Sequence, residues 1–424
     1  MLSDFVIPTF FAPSQSFVQD FAIIMIVAAI VLLVTYKIKQ PMVIGYILVG
    51  IIIGPHTPPF SYITNLETVN AIAEIGIIML LFVIGTEFPI AKLRSVGKIS
   101  TIVASAESLG TLIISFFIAQ SLNFSYYDSL FVALAMSITS TVITLKVLQE
   151  LNMVNDKSTT LLLGISIVED IIAITILGII QSVALQDIAG EGSGGSGELN
   201  ILRIAISILV VVIFIGGTLI LGSRFITPLI DKIAGTHNYA LFLLTILGLA
   251  FGLSLLAQLL ELSTATGAFL AGVLVAESKS SSFARVITIP LRDLFSAVFF
   301  VSVGILMEIS TIGSFILPAL IFIITSFVSK LFIVTGILIK AKNSNLTALR
   351  TGLGMSMAKG ELSLVVVKTG NDLGVITSFL LPLVGIVTMI TTFITPYIIR
   401  FGKQLGENNL RSSSTDINSD SGKK

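Results

Sequence analysis

The chain has 424 residues, of which 54% are hydrophobic and 11% charged, with a mean hydropathy of +1.03. A soluble domain carries about 25% charged residues, so this composition excludes a soluble globular protein and implies an all-α polytopic membrane protein. Lys+Arg and Asp+Glu balance at 24 each, without a basic patch for nucleic acid, and the absence of cysteine excludes disulfides, thiol chemistry and cysteine–metal sites.

Residues 1–16 lack the basic start of a cleaved signal peptide, so they read as an external segment before a retained first helix. Apolar windows then predict about thirteen transmembrane helices, near 17–36, 41–54, 68–87, 99–121, 127–149, 158–184, 201–222, 239–260, 264–277, 288–308, 313–340, 346–370 and 377–400. The segment GEGSGGSGE at 190–198 reads as a flexible external loop, and 404–424 as a disordered cytoplasmic tail. His56 and His237 fall in loops and make no HExxH motif.

Lys and Arg concentrate in alternate loops, such as Lys92, Arg94 and Lys98, or Lys340, Lys342 and Arg350. The opposite loops carry Asp20, Glu67, Asp128, Asp187 and Glu191 instead. The positive-inside rule then places the N-terminus outside and the C-terminus in the cytoplasm, which an odd number of spans satisfies.

The second and ninth spans resemble each other (IGYILVGIIIG and TGAFLAGVLVA), as do the third and tenth (LFVIGTE and FFVSVGILME). Both pairs lie seven spans apart, and an odd offset inverts the second copy across the membrane. This organisation predicts two inverted-topology six-helix repeats, at 17–184 and 239–403, joined by a loop and connector helix over 185–238. Inverted repeats of this kind are a transporter signature.

Chemistry concentrates in four spans. Glu169 and Asp170 lie in the apolar sixth, where an ionised carboxylate costs at least ~2.5 kcal/mol. At ~1.5 Å per residue, Asp170 lies roughly 18 Å and Lys330, in the eleventh, roughly 15 Å from the cytoplasmic ends of their helices. The charges therefore share a level, as a functional site or as a structural ion-pair cluster. Ser166 precedes Asp170 by one helical turn and offers a neutral oxygen, unless it bonds back to its own helix. The fifth span has a hydroxylated centre including Thr139 and Thr141, and the twelfth has Lys359, Gly360 and Glu361. Both read as helix breaks at corresponding positions of the two repeats, the strongest sequence pointer to a transport site. Lys359 and Glu361 would offset the dipoles of the half-helices or act as ligands. An all-oxygen site of Asp170, Ser166 and the fifth-span hydroxyls or carbonyls suits a hard monovalent cation. Glu74 and Glu107, in the third and fourth spans, have no partner that sequence can name.

With these residues in place, the chain resembles the monovalent cation:proton antiporter superfamily, in its Kef-type and Nap-type branch. The stretches that carry the resemblance are GYILVGIIIGP at 45–55, AEIGIIMLLFVIGTEF at 73–88, SITSTVITLKVLQE at 137–150, ISIVEDIIAI at 165–174, TGAFLAGVLVAES at 266–278, FFVSVGILME at 299–308 and KGELSLVV at 359–366. The resemblance implies a dimerisation domain, a mobile core with crossed, interrupted fifth and twelfth spans, and a homodimer in the cell membrane of a prokaryote. It matches Asp170 to the essential ion- and proton-binding acid, Lys330 to the basic residue that pairs in the core, and Ser166 to a cation-ligating hydroxyl. Glu169 departs from the glutamine of many Kef-type chains, and no nucleotide-binding domain is expected after the membrane part.

The expected function is exchange of Na+, or of K+ or Li+, for H+ by elevator-type alternating access, with no cofactor and no enzymatic activity. A K+/H+ antiporter of Kef type, a cation-coupled symporter and an ion channel stand as alternatives. Whether Lys330 and Glu169 stay paired, giving one-for-one exchange, or part, giving electrogenic exchange, is left open by the sequence.

Overall fold

The computed structural model describes residues 17–38, 41–55, 63, 66–86, 97–153, 156–188, 201–260, 262–307 and 312–420. The N-terminal segment 1–16, the glycine-rich loop at 190–198 and residues 421–424 lie outside these. All regular structure among the described residues is helical. This is the solution a bilayer imposes, because a helix satisfies its own backbone where no water can.

The helices in order are α1 (Phe17–Lys37), α2 (Met42–Ile53), α3 (Leu66–Thr86), α4 (Lys98–Ser121), α5 (Tyr126–Ser137), α6 (Thr141–Glu150), α7 (Lys157–Ile188) and α8 (Ile201–Ala234). They continue with α9 (Tyr239–Leu259), α10 (Thr264–Ala276), α11 (Ser281–Ile305), α12 (Ile312–Lys340), α13 (Asn345–Ser356), α14 (Glu361–Asp372) and α15 (Leu380–Asp420). Nine of these, among the described residues, are long and apolar enough to cross a membrane, and α2 and α10 are shorter apolar helices. The protein is an integral, multi-pass membrane protein.

Every predicted span is occupied by helix, and the fifth and twelfth are each occupied by two. α5 and α6 are separated at Ile138, Thr139 and Ser140, and α13 and α14 at residues 357–360. Three boundaries differ from the sequence expectation by more than four residues. α11 starts at Ser281, seven residues before the predicted span, because Ser280 precedes an amphipathic turn that carries Arg285. Arg285 donates to Thr86 O at the end of α3 (2.7 Å) and so belongs to the packed structure. α8 runs to Ala234, beyond the predicted end at 222. α15 continues as helical backbone to Asp420, through the stretch expected to be disordered. Adding residues to a formed helix is far easier than nucleating one, and no proline interrupts the chain after Pro396.

The helices pack as two groups. In one, α2 and α3 pack on α11, α3 also on α10, α9 on α10, and α1 on α2. In the other, α4 packs on α5, α7 and α12, while α12 and α15 pack on α13, and α14 on α5 and α15. The groups meet more sparsely, through α7 against α8 and α10 and through α15 against α2 and α11.

Two glycine crossings fasten the first group. Gly50 on α2 and Gly304 on α11 each face the other's Cα, and a Cβ on either would enter the opposing backbone at Val301 or Ile47. Gly272 on α10 and Gly85 on α3 do the same, against Phe82 and Phe269. In the repeat alignment Gly50 corresponds to Gly272 and Gly304 to Gly85, so one close approach is built twice from matching residues. Only glycine permits backbones this near, and such small-residue contacts replace the hydrophobic effect as the association force inside a membrane.

Candidate functional site

The site grows from the two helix breaks. The last four carbonyls of a helix lack intrahelical partners and must be satisfied from outside. At the end of α5 side chains satisfy all four. Leu134 O accepts from Ser137 Oγ (2.8 Å), Ala135 O from Ser363 Oγ (2.9 Å), Met136 O from Lys359 Nζ (2.6 Å) and Ser326 Oγ (3.1 Å), and Ser137 O from Lys330 Nζ (2.5 Å). Lys359 Nζ also donates to Ile138 O at 2.8 Å. Two lysines from the second half of the chain thus sit at the negative end of a half-helix from the first.

The breaks hold each other. Ser140 N donates to Ala358 O (2.8 Å), and Thr139 Oγ1 donates to Met355 O (2.8 Å). Gly360 lies so close to Ser140 that a Cβ there would overlap the serine side chain. Thr391 Oγ1 accepts from Lys359 N (3.3 Å) and Thr392 Oγ1 donates to Lys359 O (3.1 Å), which ties the second break to α15. Glu361 stands in the first turn of α14, at its positive end.

Beside the breaks lies a cluster of buried charges. Lys330 Nζ, on α12, is 2.6 Å from Glu107 Oε1 on α4 and 3.1 Å from Glu169 Oε1 on α7, and all three side chains are fully buried. Thr139 Oγ1 accepts a further Lys330 hydrogen bond at 2.8 Å. Lys330 hydrogen-bonds Glu169 but meets Glu107 as an ion pair: both oxygens of Glu107, and Oε2 of Glu169, are buried without a hydrogen-bond partner among the described residues. Asp170, next along α7, is buried with 6% of its surface exposed. Ser166, one turn earlier, is fully buried, and its hydroxyl lies 3.3 Å from Met355 Sδ. Sulfur is a weak acceptor, so this contact leaves the serine oxygen lone pairs available.

The structure therefore places Asp170, Glu169 and Ser166 on α7, Lys330 on α12 and Thr139 in the first break around one region, with Lys359 across the same break. Thr139 is less available as a ligand than its position in the sequence implies, because it already accepts from Lys330 and donates to Met355 O. Thr141 Oγ1 is buried without a hydrogen-bond partner among the described residues. Among the described residues no group of three His, Cys, Asp or Glu side chains stands ready to hold a metal ion. A cation here would be held by one carboxylate with hydroxyl and carbonyl oxygens.

Glu107 is the site residue the sequence leaves without a partner. Its signal lies in α4 itself: Ser100, Glu107, Ser108, Thr111 and Ser115 are all buried, at spacings that line one helical face. A polar stripe inside an apolar helix marks the face turned to the protein interior. Glu74 behaves differently and is exposed on α3.

A family model described as sodium/hydrogen exchanger, transmembrane, matches residues 23–401. The chain is 27% identical to YbaL of Escherichia coli strain K12 over 285 residues, which cover 67% of this chain but only half of YbaL. It is 24% identical to the K+/H+ antiporter subunit KhtU of Bacillus subtilis over 90% of this chain and 92% of that protein. In three dimensions it is similar to the sodium proton antiporter MjNhaP1 of Methanocaldococcus jannaschii, with a TM-score of 0.67 and 18% identity over 92% of this chain and 97% of that one. The last likeness shows the fold, and the family match decides membership. The chain belongs to the sodium/hydrogen exchanger family of transmembrane proteins, whose members are secondary transporters and not enzymes.

Proposed function

We propose that the protein exchanges a monovalent cation for protons, with Asp170 as the site that the two share. The observation that carries this is the placement of Asp170 and Ser166 beside two broken helices that face each other, with nearby lysines occupying the free carbonyls of α5. A carboxylate holds either a proton or a cation at one time, so competition at Asp170 couples the two fluxes without a second device. Ser166 supplies a neutral oxygen one turn away. Glu169 serves Lys330 and not the cation.

The sparse contact between the two helix groups supports elevator-type alternating access. The group holding α4–α7 and α12–α15 carries the site, and the glycine-fastened group stays fixed. In this reading thirteen spans cross the membrane with the N-terminus outside, two copies associate, and the protein sits in a prokaryotic cell membrane. Na+ is the first cation to test, given the family, and K+ the second, given KhtU.

The test is cation-driven proton movement in proteoliposomes, with Asp170→Asn as the variant. The expected result is exchange by the wild type and loss of at least about 100-fold in the variant, the scale of removing an interaction worth ~2.7 kcal/mol. Exchange that survives the substitution would remove Asp170 from the mechanism.

A further inference from the structure

Ser166 is the neutral ligand of the proposed cation site, and its hydroxyl has a proton that must be placed somewhere. A hydroxyl carries one donor and two acceptor lone pairs. On an apolar helix the ready partner for the proton is the carbonyl one turn back. Thr175, further along α7, takes that partner: its Oγ1 donates to Ile171 O at 2.8 Å. Such a bond swings the oxygen toward its own backbone. Ser166 does otherwise. Its Oγ lies 3.3 Å from Met355 Sδ on α13, and both residues are fully buried. The proton goes to another helix, and Leu162 O, one turn back, does not hold the oxygen.

Two contacts place Met355 for this. It is the penultimate residue of α13, so its carbonyl has no partner within the helix. Thr139 Oγ1 donates to that carbonyl at 2.8 Å, which holds the Met355 backbone against the first break. Leu162, one turn before Ser166, packs so tightly on Gly354 that a Cβ there would meet the leucine side chain. α7 and α13 therefore interlock in a register that sets Ser166 against the residue after Gly354. Met355 joins the break to the site, by its backbone on one side and its thioether on the other. The residue type fits the task. A thioether is neutral, polarisable and a weak acceptor. It takes the proton without becoming a rival oxygen ligand for a hard cation.

We propose that Met355 is a positioning residue for cation binding: its thioether accepts the Ser166 hydroxyl proton and so keeps the serine oxygen for the cation beside Asp170. The inference rests on Asp170 and Ser166 as the cation site. Without the sulfur, the hydroxyl turns to Leu162 O, as Thr175 turns to Ile171 O, and the site loses an oxygen.

The experiment measures Na+-driven proton movement by the full chain in proteoliposomes, with KM and maximal rate read separately; K+ replaces Na+ if Na+ drives none. Met355→Leu conserves volume, which buried sites tolerate well, and removes the acceptor. The expected result is a KM raised about fivefold (~1 kcal/mol) at an unchanged maximal rate, the mark of binding lost equally from ground and transition states. Ser166→Ala is expected to raise KM by at least as much. In that background Met355→Leu is expected to add nothing, because the two residues act as one unit. A merely structural Met355 would add its effect in both backgrounds. An unchanged KM in Met355→Leu or in Ser166→Ala, or a further rise when the two are combined, would overturn the inference. Met355→Ile, a second side chain without sulfur, gives the same reading if leucine fails to pack. The shared-site reading fails by a different result, exchange that survives Asp170→Asn, whatever the Met355 variants do.

Discussion

At the scale of single residues, the charged side chains in this membrane interior divide by what they touch. Lys359 donates to Met136 O and Ile138 O, carbonyls left open where α5 ends. Replacing it with methionine keeps the stem and removes the donors. One buried carbonyl without a partner costs about 1–3 kcal/mol, and Ser326 still serves Met136 O. Lys359→Met, which orphans Ile138 O, is therefore expected to lose about 1–3 kcal/mol of stability, read as a fall in Tm of the detergent-solubilised protein. An unchanged Tm would show that the carbonyls find other donors. Glu169, Asp170 and Lys330 announce themselves in the sequence because each interrupts an apolar run. The pairing of Lys330 with Glu107 does not, since α4 and α12 lie far apart in the chain and only the fold brings them together. The same limit applies to Thr139, whose hydroxyl reads as a free ligand until Met355 O and Lys330 Nζ are seen on either side of it.

At the scale of elements, the breaks were the most legible feature. Hydroxyl-rich residues at 137–141 and the Lys-Gly-Glu run at 359–361 cannot continue an apolar helix at no cost, and the chain leaves the helix at those places. The sequence does not tell that the breaks clasp each other through Ser140 and Ala358. That clasp depends on Gly360, because a methyl group there meets Ser140. Gly360→Ala is expected to destabilise by about 1–3 kcal/mol through overpacking. Ser140→Gly in the same chain removes the obstacle and is expected to recover most of the loss, apart from the cap at the start of α6 that Ser140 provides. Thermal unfolding of the single and double variants checks this; an alanine variant as stable as the wild type would mean the breaks are free to separate. Helix ends were less legible than breaks. α11 begins in a polar stretch because Arg285 finds Thr86 O, a contact that no local pattern announces.

At the scale of the whole molecule, the repeat seen as two weak string matches has a physical counterpart. The aligned glycines of α2 and α10 make equivalent crossings, on α11 and α3 respectively. Short apolar strings match easily by chance, but two backbone approaches at corresponding residues require the same steric solution twice. This half of the molecule is fastened at those two crossings, and the half that holds Asp170 touches it more sparsely. A carrier needs such a division between a frame and a moving site. It also needs the two substrates to exclude each other at that site, which is the central claim. The direct measurement is the Na+ KM of exchange in proteoliposomes as a function of pH. Competition for Asp170 predicts that, on the acid side of its titration, KM rises about tenfold for each unit fall in pH while the maximal rate holds, the slope of one bound proton displaced per cation. A KM independent of pH, with only the maximal rate falling, would contradict a shared site and place the proton elsewhere.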